Sequence, residues 1–218
     1  MATTPPPFQR ARSPEHKQQR RREILAAART LGLRDGVRAV SLTDIAAQAG
    51  VHKSAVLRYF ETREEVFLQL TAEGWRDWAA ALTASLRPGT APGEVAATLT
   101  RSLVERPLFC DLLAHAPLHL ERGVSLEAVR AFKLTALAAV DDIRAALTAA
   151  LPGLTPEGAQ DVVAAVTALT ASLWQIANPP ETLARLYAED PRLGHAIVDF
   201  PPRLQRLIAG TIAGATAG

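Results

Sequence analysis

Twenty residues, Ser41 to Phe60 (SLTDIAAQAGVHKSAVLRYF), constrain this chain more than any other stretch. They read as two short helices joined by one tight turn. Ser41 suits an N-cap, and Asp44 stands three residues on, at the spacing of a capping box. Leu42, Ile45, Ala46 and Ala49 fall on one helical face. Gly50 ends the first helix, because glycine takes the left-handed backbone of a sharp reversal at no steric cost. Val51 then packs inward, and a second helix over about His52 to Tyr59 buries Val56. Small Ala46, turning Gly50 and apolar Val56 fix the crossing angle of a helix-turn-helix.

The flanks extend this unit. A helix from about Glu15 to Leu33 carries a buried stripe of Ile24, Ala27, Ala28 and Leu31 and stops at Gly36. Thr62 with Glu65 forms a second capping box, opening a long helix from Arg63 to Leu86. No flexible linker separates it from the motif, so it is suited to carry a mechanical signal. Charge follows the same division. The whole chain is +2, but residues 1–63 hold 12 Lys/Arg against 5 Asp/Glu, a net of +7, while residues 64–218 hold 12 against 17, a net of −5. Only the front third is therefore suited to meet a polyanion. Residues 1–14 are expected to be disordered, within a basic arm bounded at residue 17, with Pro5, Pro6 and Pro7 unable to join a helix and Arg10, Arg12 and Lys17 adding charge. Arg20, Arg21 and Arg22 continue it, either solvated or touching phosphates or a minor groove.

From Ile24 to Phe67 the chain resembles the DNA-binding domain of TetR-family transcriptional regulators. The resemblance lies in Ala26–Ala27, Gly36, SLTDIA at Ser41–Ala46, AGV at Ala49–Val51, RYF at Arg58–Phe60 and the Arg63-Glu64-Glu65 helix start. It implies double-stranded DNA as partner, with the second helix of the motif in the major groove. His52, Lys53, Ser54, Leu57 and Arg58 are its outward candidates, and Thr43 matches a phosphate-contacting position. Tyr59 reads equally as a phosphate contact or a hydrophobic brace. Arg63 reads as a contact to the flanking DNA backbone or as an exposed salt bridge. Leu57 departs from the family, which usually has Tyr there; it keeps apolar contact with a thymine methyl and loses a hydroxyl. His52 and Ala55 also depart from a common Ser-Lys-Gly-Thr stretch, so the operator sequence is open.

The chain as a whole is Ala-rich, with 48% apolar and only 5% aromatic residues and few alternating runs, which predicts an all-α fold. The expected division is an arm (1–17), a helix-turn-helix domain (18–78) and a C-terminal helical domain (79–218). Loops are expected at Pro88–Gly93 and Pro152-Gly153, and an irregular piece between Pro117 and Gly123. Helices are expected near residues 94–105, 108–115, 125–150, 156–177, 182–188 and 202–213. The resemblance implies that the last long helices pair with a second copy. Val162, Val166, Leu169 and Leu173 form one apolar stripe on them and Leu204, Leu207, Ile208 and Ile212 another, although both also suit an intrachain core. A symmetric homodimer would meet a palindromic site with two recognition helices.

A regulator of this type is usually switched by a small molecule, and Trp75, Trp78, Phe109, Leu112, His115, Phe132 and Trp174 are the candidate pocket walls. Each is equally readable as plain core; together they suit an apolar or aromatic effector. His115 and His119 stand four apart, but Pro117 lies between them and no carboxylate is read beside the pair, so no metal is expected. No nucleophile–base pattern and no Gly-rich phosphate loop is present, which argues against an enzyme, and no cofactor is expected. The single Cys110 excludes an internal disulfide. With no apolar run of transmembrane length and a Pro-rich basic N-terminus, the expected location is the cytoplasm. The sequence thus leads to an all-α, homodimeric DNA-binding regulator, a repressor released by an effector. The alternatives are a constitutive regulator and a helical protein-interaction module.

Overall fold

In the computed structural model, which describes residues 14–196 and 198–217, helix starts follow the caps that the sequence supplies. Thr62, Ser125 and Thr155 each accept a hydrogen bond from the backbone N–H three residues on. They open α4 (Arg63–Ser85), α7 (Leu126–Ala150) and α8 (Pro156–Ala177). Proline fills the first turn of α5 (Pro92–Val104), α6 (Pro107–His115) and α10 (Phe200–Thr216), where its missing N–H costs nothing. The others are α1 (Pro14–Asp35), α2 (Leu42–Gln48), α3 (Lys53–Val56) and α9 (Glu181–Glu189). Among the described residues there is no strand, as the patterning predicts. No single helix among them is long and apolar enough to cross a membrane. Arg10, Arg12 and the Pro-rich tip of the expected arm lie outside the described residues.

Several boundaries differ from expectation for local reasons. Helix α5 begins at Pro92, inside the expected loop, because proline is compatible with a first turn. Pro117 does not break the chain after α6. The ladder widens instead into a π-helical turn, Ala116–Leu120, with the Glu121 N–H donating to the Ala116 carbonyl at 3.1 Å. The second capping box forms with a shift: Thr62 accepts from the Glu65 N–H, while the Glu65 carboxylate accepts from the Glu61 N–H at 2.7 Å rather than from Thr62.

Buried side chains form two cores, and α4 serves both. The first gathers Ile24, Ala28 and Leu31 of α1, Ile45 of α2, Val56 of α3, Phe60, and Phe67 and Leu68 from the first half of α4. It extends to Leu112 and Ala116, Leu120 and Phe132 of the later helices. The second gathers Trp78 and Leu82 from the other half of α4 with Leu99, Leu103, Cys110, Ile143, Leu147, Val162, Leu204 and Ile208. Trp75 packs against both. Cys110 is fully buried, its Sγ donating to the Leu103 carbonyl, and burial pushes the thiol up to about 12.

The stripes expected to face a second copy are taken up within this chain. Val162, Val166, Leu204, Ile208 and Ile212 are fully buried where α10 packs on α8 and α5, Leu173 is buried too, and Leu169 is half-buried. Only Leu207 of the set is exposed, at 42%. The outward faces of these helices are different residues: Ala164, Ala168, Ser172 and Ile176 on α8, and Arg206, Leu207, Gly210 and Gly214 on α10.

Helix α4 crosses α6 at Gly74, where an added Cβ would lie 2.3 Å from Phe109 Cδ2. Gly74→Ala is expected to destabilise by about 1–3 kcal/mol through overpacking. Gly93→Ala, in the first turn of α5 where a Cβ meets nothing within 4 Å, is expected to stabilise by about 0.5 kcal/mol. Chemical denaturation of the two variants beside the parent checks both signs.

Candidate nucleic-acid interface

The helix-turn-helix is assembled from short-range bonds. Ser41 Oγ accepts from the Asp44 N–H at 3.2 Å, and Asp44 Oδ2 accepts in return from the Ser41 N–H at 2.8 Å and the Ser41 hydroxyl at 2.6 Å. Aspartate, shorter than the usual glutamate, therefore completes the box. These hydrogen bonds hold the Asp44 carboxyl below its ordinary 3.8. At the turn, Gly50 has φ +65°, and a Cβ there would meet nothing within 4 Å. The requirement for glycine is thus conformational, not spatial. The Gly50 N–H donates to Ala47 O and the Val51 N–H to Ala46 O, closing the reversal.

The second helix is shorter than its sequence suggests. Regular α-helix covers only Lys53–Val56, and the chain then tightens through bonds from Arg58 to Ala55 and from Tyr59 to Val56. Val56 and Phe60, four apart and both buried, anchor this segment to the first core. Their burial turns the opposite side outward: His52, Lys53, Ser54 and Arg58 are exposed, as is Leu57 at 46%. Thr43, second residue of α2, is exposed as well. Tyr59 is half-buried and packs against the first core.

Two basic residues turn inward. Arg63 donates through Nε to the Val40 carbonyl and through Nη2 to the Val37 carbonyl, pairs with Glu64 at 3.0 Å, and lies 4.8 Å from the centre of the Phe67 ring. It braces the segment before the motif and is half-buried, its salt bridge being to Glu64 beside it. Arg21 donates to the Tyr59 carbonyl at 3.0 Å and sits 4.2 Å over the Phe60 ring. Of its neighbours, Arg20 pairs with Glu23 and Arg22 is exposed.

The seven expected pocket residues fall in three places and do not line one cavity. Trp75, Trp78 and Phe109 pack on one another with ring centres 5.5–5.9 Å apart. The Trp78 indole N–H is satisfied by Ser102 Oγ at 2.9 Å. Leu112 and Phe132 belong to the first core. His115 and Trp174 line a cleft of about 790 Å³ between the α1–α2 connection, α6 and the end of α8. A larger groove, about 1140 Å³, runs between α4 and α7; it is walled by alanines and by Leu86 and Leu134, and contains none of the seven.

Sequence reasoning missed Asp111. It stands one helical turn before His115, with Oδ1 3.4 Å from His115 Nε2, so a carboxylate does lie beside the histidine pair. Its oxygens are engaged elsewhere: Oδ2 accepts from the Val37 N–H and Oδ1 from Gln175 Nε2, each at 2.7 Å. Burial alone would raise its pKa; the bonds from His115, Val37 and Gln175 outweigh that and hold it below 3.8. The available signal was an isolated acid within the apolar run PLFCDLLAH.

A capped helix, a glycine reversal and a short second helix offering its polar side to solvent define a helix-turn-helix protein, here joined to a helical C-terminal domain. Residues 24–70 match the family model described as bacterial regulatory proteins, tetR family, and residues 72–218 match the Tetracyclin repressor-like C-terminal domain. The latter spans more than half of the chain, and the chain belongs to the TetR family of bacterial regulators, a family of regulators rather than enzymes. A curated relative, the uncharacterized HTH-type transcriptional regulator YfiR of Bacillus subtilis (strain 168), is 35% identical over 60 residues. That match spans 28% of this chain and 29% of the relative's length. Among solved structures, a tetR-family regulatory protein from Rhodococcus RHA1 superposes with a TM-score of 0.58 at 17% identity, covering 90% of this chain and 97% of that one. The fatty acid degradation regulator FadR from Bacillus halodurans gives 0.56 at 12% identity, covering 93% and 97%. These likenesses establish the fold.

Ser41→Ala removes one half of the capping box and is expected to cost about 1 kcal/mol, read as a lower thermal midpoint. The same change is expected to raise the Asp44 carboxyl toward 3.8, followed by NMR titration. Because its folded value is depressed, the stabilisation is complete above 3.8 and fades as pH falls below it.

Proposed function

We propose that this protein is a homodimeric, sequence-specific DNA-binding transcriptional repressor, released from its operator by a small apolar or aromatic molecule. The observation that carries the DNA reading is the outward side of the motif. His52, Lys53, Ser54, Leu57 and Arg58 are exposed together, in the front part of the chain whose residues 1–63 carry a net charge of +7, while Val56 and Phe60 of the same segment are buried. Lys53 and Arg58 supply charge for phosphates or guanine edges, His52 and Ser54 supply donors and acceptors, and Leu57 supplies a surface for a thymine methyl. In this reading Thr43 and the half-buried Tyr59 add phosphate contacts at the margin.

Dimerisation supports the same reading, since a palindromic site needs two recognition helices about 34–36 Å apart. In this proposal the second copy packs on the outward faces of α8 and α10. Gly210 and Gly214 favour it: each costs helix stability relative to alanine, and a Cβ at either meets nothing inside the chain. Their smallness has no intrachain use, whereas it permits close approach of a neighbouring helix. Release by an effector rests on α4, which is rooted in both cores; a molecule that favours a different pose of α4 changes the spacing of the paired motifs. Complete switching requires a preference of about 10⁴-fold for that pose. The close mutual packing of Trp75, Trp78 and Phe109 favours a second reading, a constitutive regulator whose C-terminal domain only dimerises.

Selection from a random DNA pool with purified protein tests the main reading. A palindromic winner is expected, with binding that falls steeply as salt rises and weakens roughly tenfold or more in Lys53→Ala. No enriched sequence, with only weak binding at low salt, would sink it and point to a protein partner. For the dimer, Ala168→Arg and Gly210→Arg are expected to yield folded monomers by sedimentation and to weaken full-palindrome binding by more than about tenfold. A dimer that persists in both variants places the interface elsewhere.

A further inference from the structure

A buried carboxylate is retained only where its bonds offset the loss of water, and Asp111 is the charged residue most deeply enclosed among those described, 9% exposed. Its partners come from separate parts of the chain. Gln175 belongs to α8 and His115 to α6, both C-terminal. The third partner is the backbone N–H of Val37, in the three-residue 3₁₀ turn Val37–Ala39 that leads into the helix-turn-helix. The bond spans 74 residues of sequence. Val37 itself is fully buried, and Gly36 before it has φ +80°, a conformation that fixes where the Val37 N–H points. The Val37 carbonyl is held from the other direction by the Arg63 guanidinium at the start of α4. Both polar groups of one residue are thus clamped, one by the C-terminal domain and the other by the connecting helix. Three residues further on, Val40 accepts from the same guanidinium and precedes the Ser41 cap.

We propose that Asp111 is a positioning residue for DNA readout, through which α6 and α8 set the pose of the helix-turn-helix by holding the Val37 turn. The inference rests on the DNA-binding reading and goes beyond it. It gives the C-terminal domain a second connection to the motif, separate from rotation of α4. A displacement of α6 relative to α8 pulls Asp111 between Gln175 and Val37, and the turn either follows or loses its bond. The cleft that holds His115 and Trp174 also borders Asp111 and Gly36, so the tie lies within reach of a molecule entering there.

The test uses the full chain with Asp111→Ala, Asp111→Asn and Gln175→Leu. Amide hydrogen exchange at Val37 reads the tie, and selection from a random pool reads affinity and the spacing between half-sites. In Asp111→Ala, Val37 exchange is expected to rise by about tenfold or more while Ile45 stays protected, because the donor loses its acceptor among the described residues. Operator binding should weaken by a similar factor with a broadened spacing preference. Lys53→Ala, by contrast, should alter base preference and leave spacing alone. Asp111→Asn keeps an oxygen for Val37 and should restore most of the protection and the spacing. If Asp111→Ala does not fold, Gln175→Leu decides: this exposed residue can be lost without opening a core, and a looser Asp111 should still raise Val37 exchange by about threefold. Unchanged Val37 exchange, or raised exchange with affinity and spacing intact, overturns the inference alone. A parent protein that selects no sequence overturns the DNA reading, and this inference with it.

Discussion

Phe67 and Trp78 are both fully buried, on one continuous helix, in two different cores. Each contributes about 2–3 kcal/mol by leaving water, so neither end of α4 can come away from its core without a cost comparable to a large share of a domain's stability. That constraint orders the rest of the molecule. The short helices α2 and α3 have few apolar residues of their own, and they gain a core only by packing against α1 and the front of α4. The C-terminal helices close around its rear. Trp75 packs against both cores, and α4 runs from one to the other without interruption.

A rigid connection makes the weaker contacts the informative ones. Arg63 turns inward and donates to two carbonyls ahead of the motif. Asp111 does the reverse service from the other domain. The motif is therefore held on three sides, by its own capping box, by the start of α4 and by α6. His52, Lys53, Ser54, Leu57 and Arg58 are left exposed.

Much of this was legible in the sequence, for reasons that differ by element. Ser41, Asp44 and Gly50 speak through local chemistry, which a sequence displays in full, and the turn was readable from them. The length of α3 was not, because its end is set by Phe60 reaching the first core, a tertiary event that shortens a segment of good helical pattern. The stripes on α8 and α10 show which faces are buried but not what covers them; intrachain packing of α10 on α8 and α5 took the residues that a partner was expected to meet. Scarce aromatics looked like pocket walls because they stood out, and three of them instead fill a helix crossing beside Gly74. Asp111 was visible as a single acid among apolar neighbours, but Gln175 and Val37 lie 64 and 74 residues away, and nothing local names them.

The one cysteine has a practical consequence. Cys110 is sealed in the second core, and burial pushes its thiol up to about 12, which disfavours the thiolate that thiol-directed reagents need. These 218 residues therefore offer no exposed cysteine of their own. A cysteine introduced at an exposed site such as Ser54 would take up a spin label or fluorophore alone, and in an assembly of two copies the pair of labels would form a molecular ruler between the recognition helices.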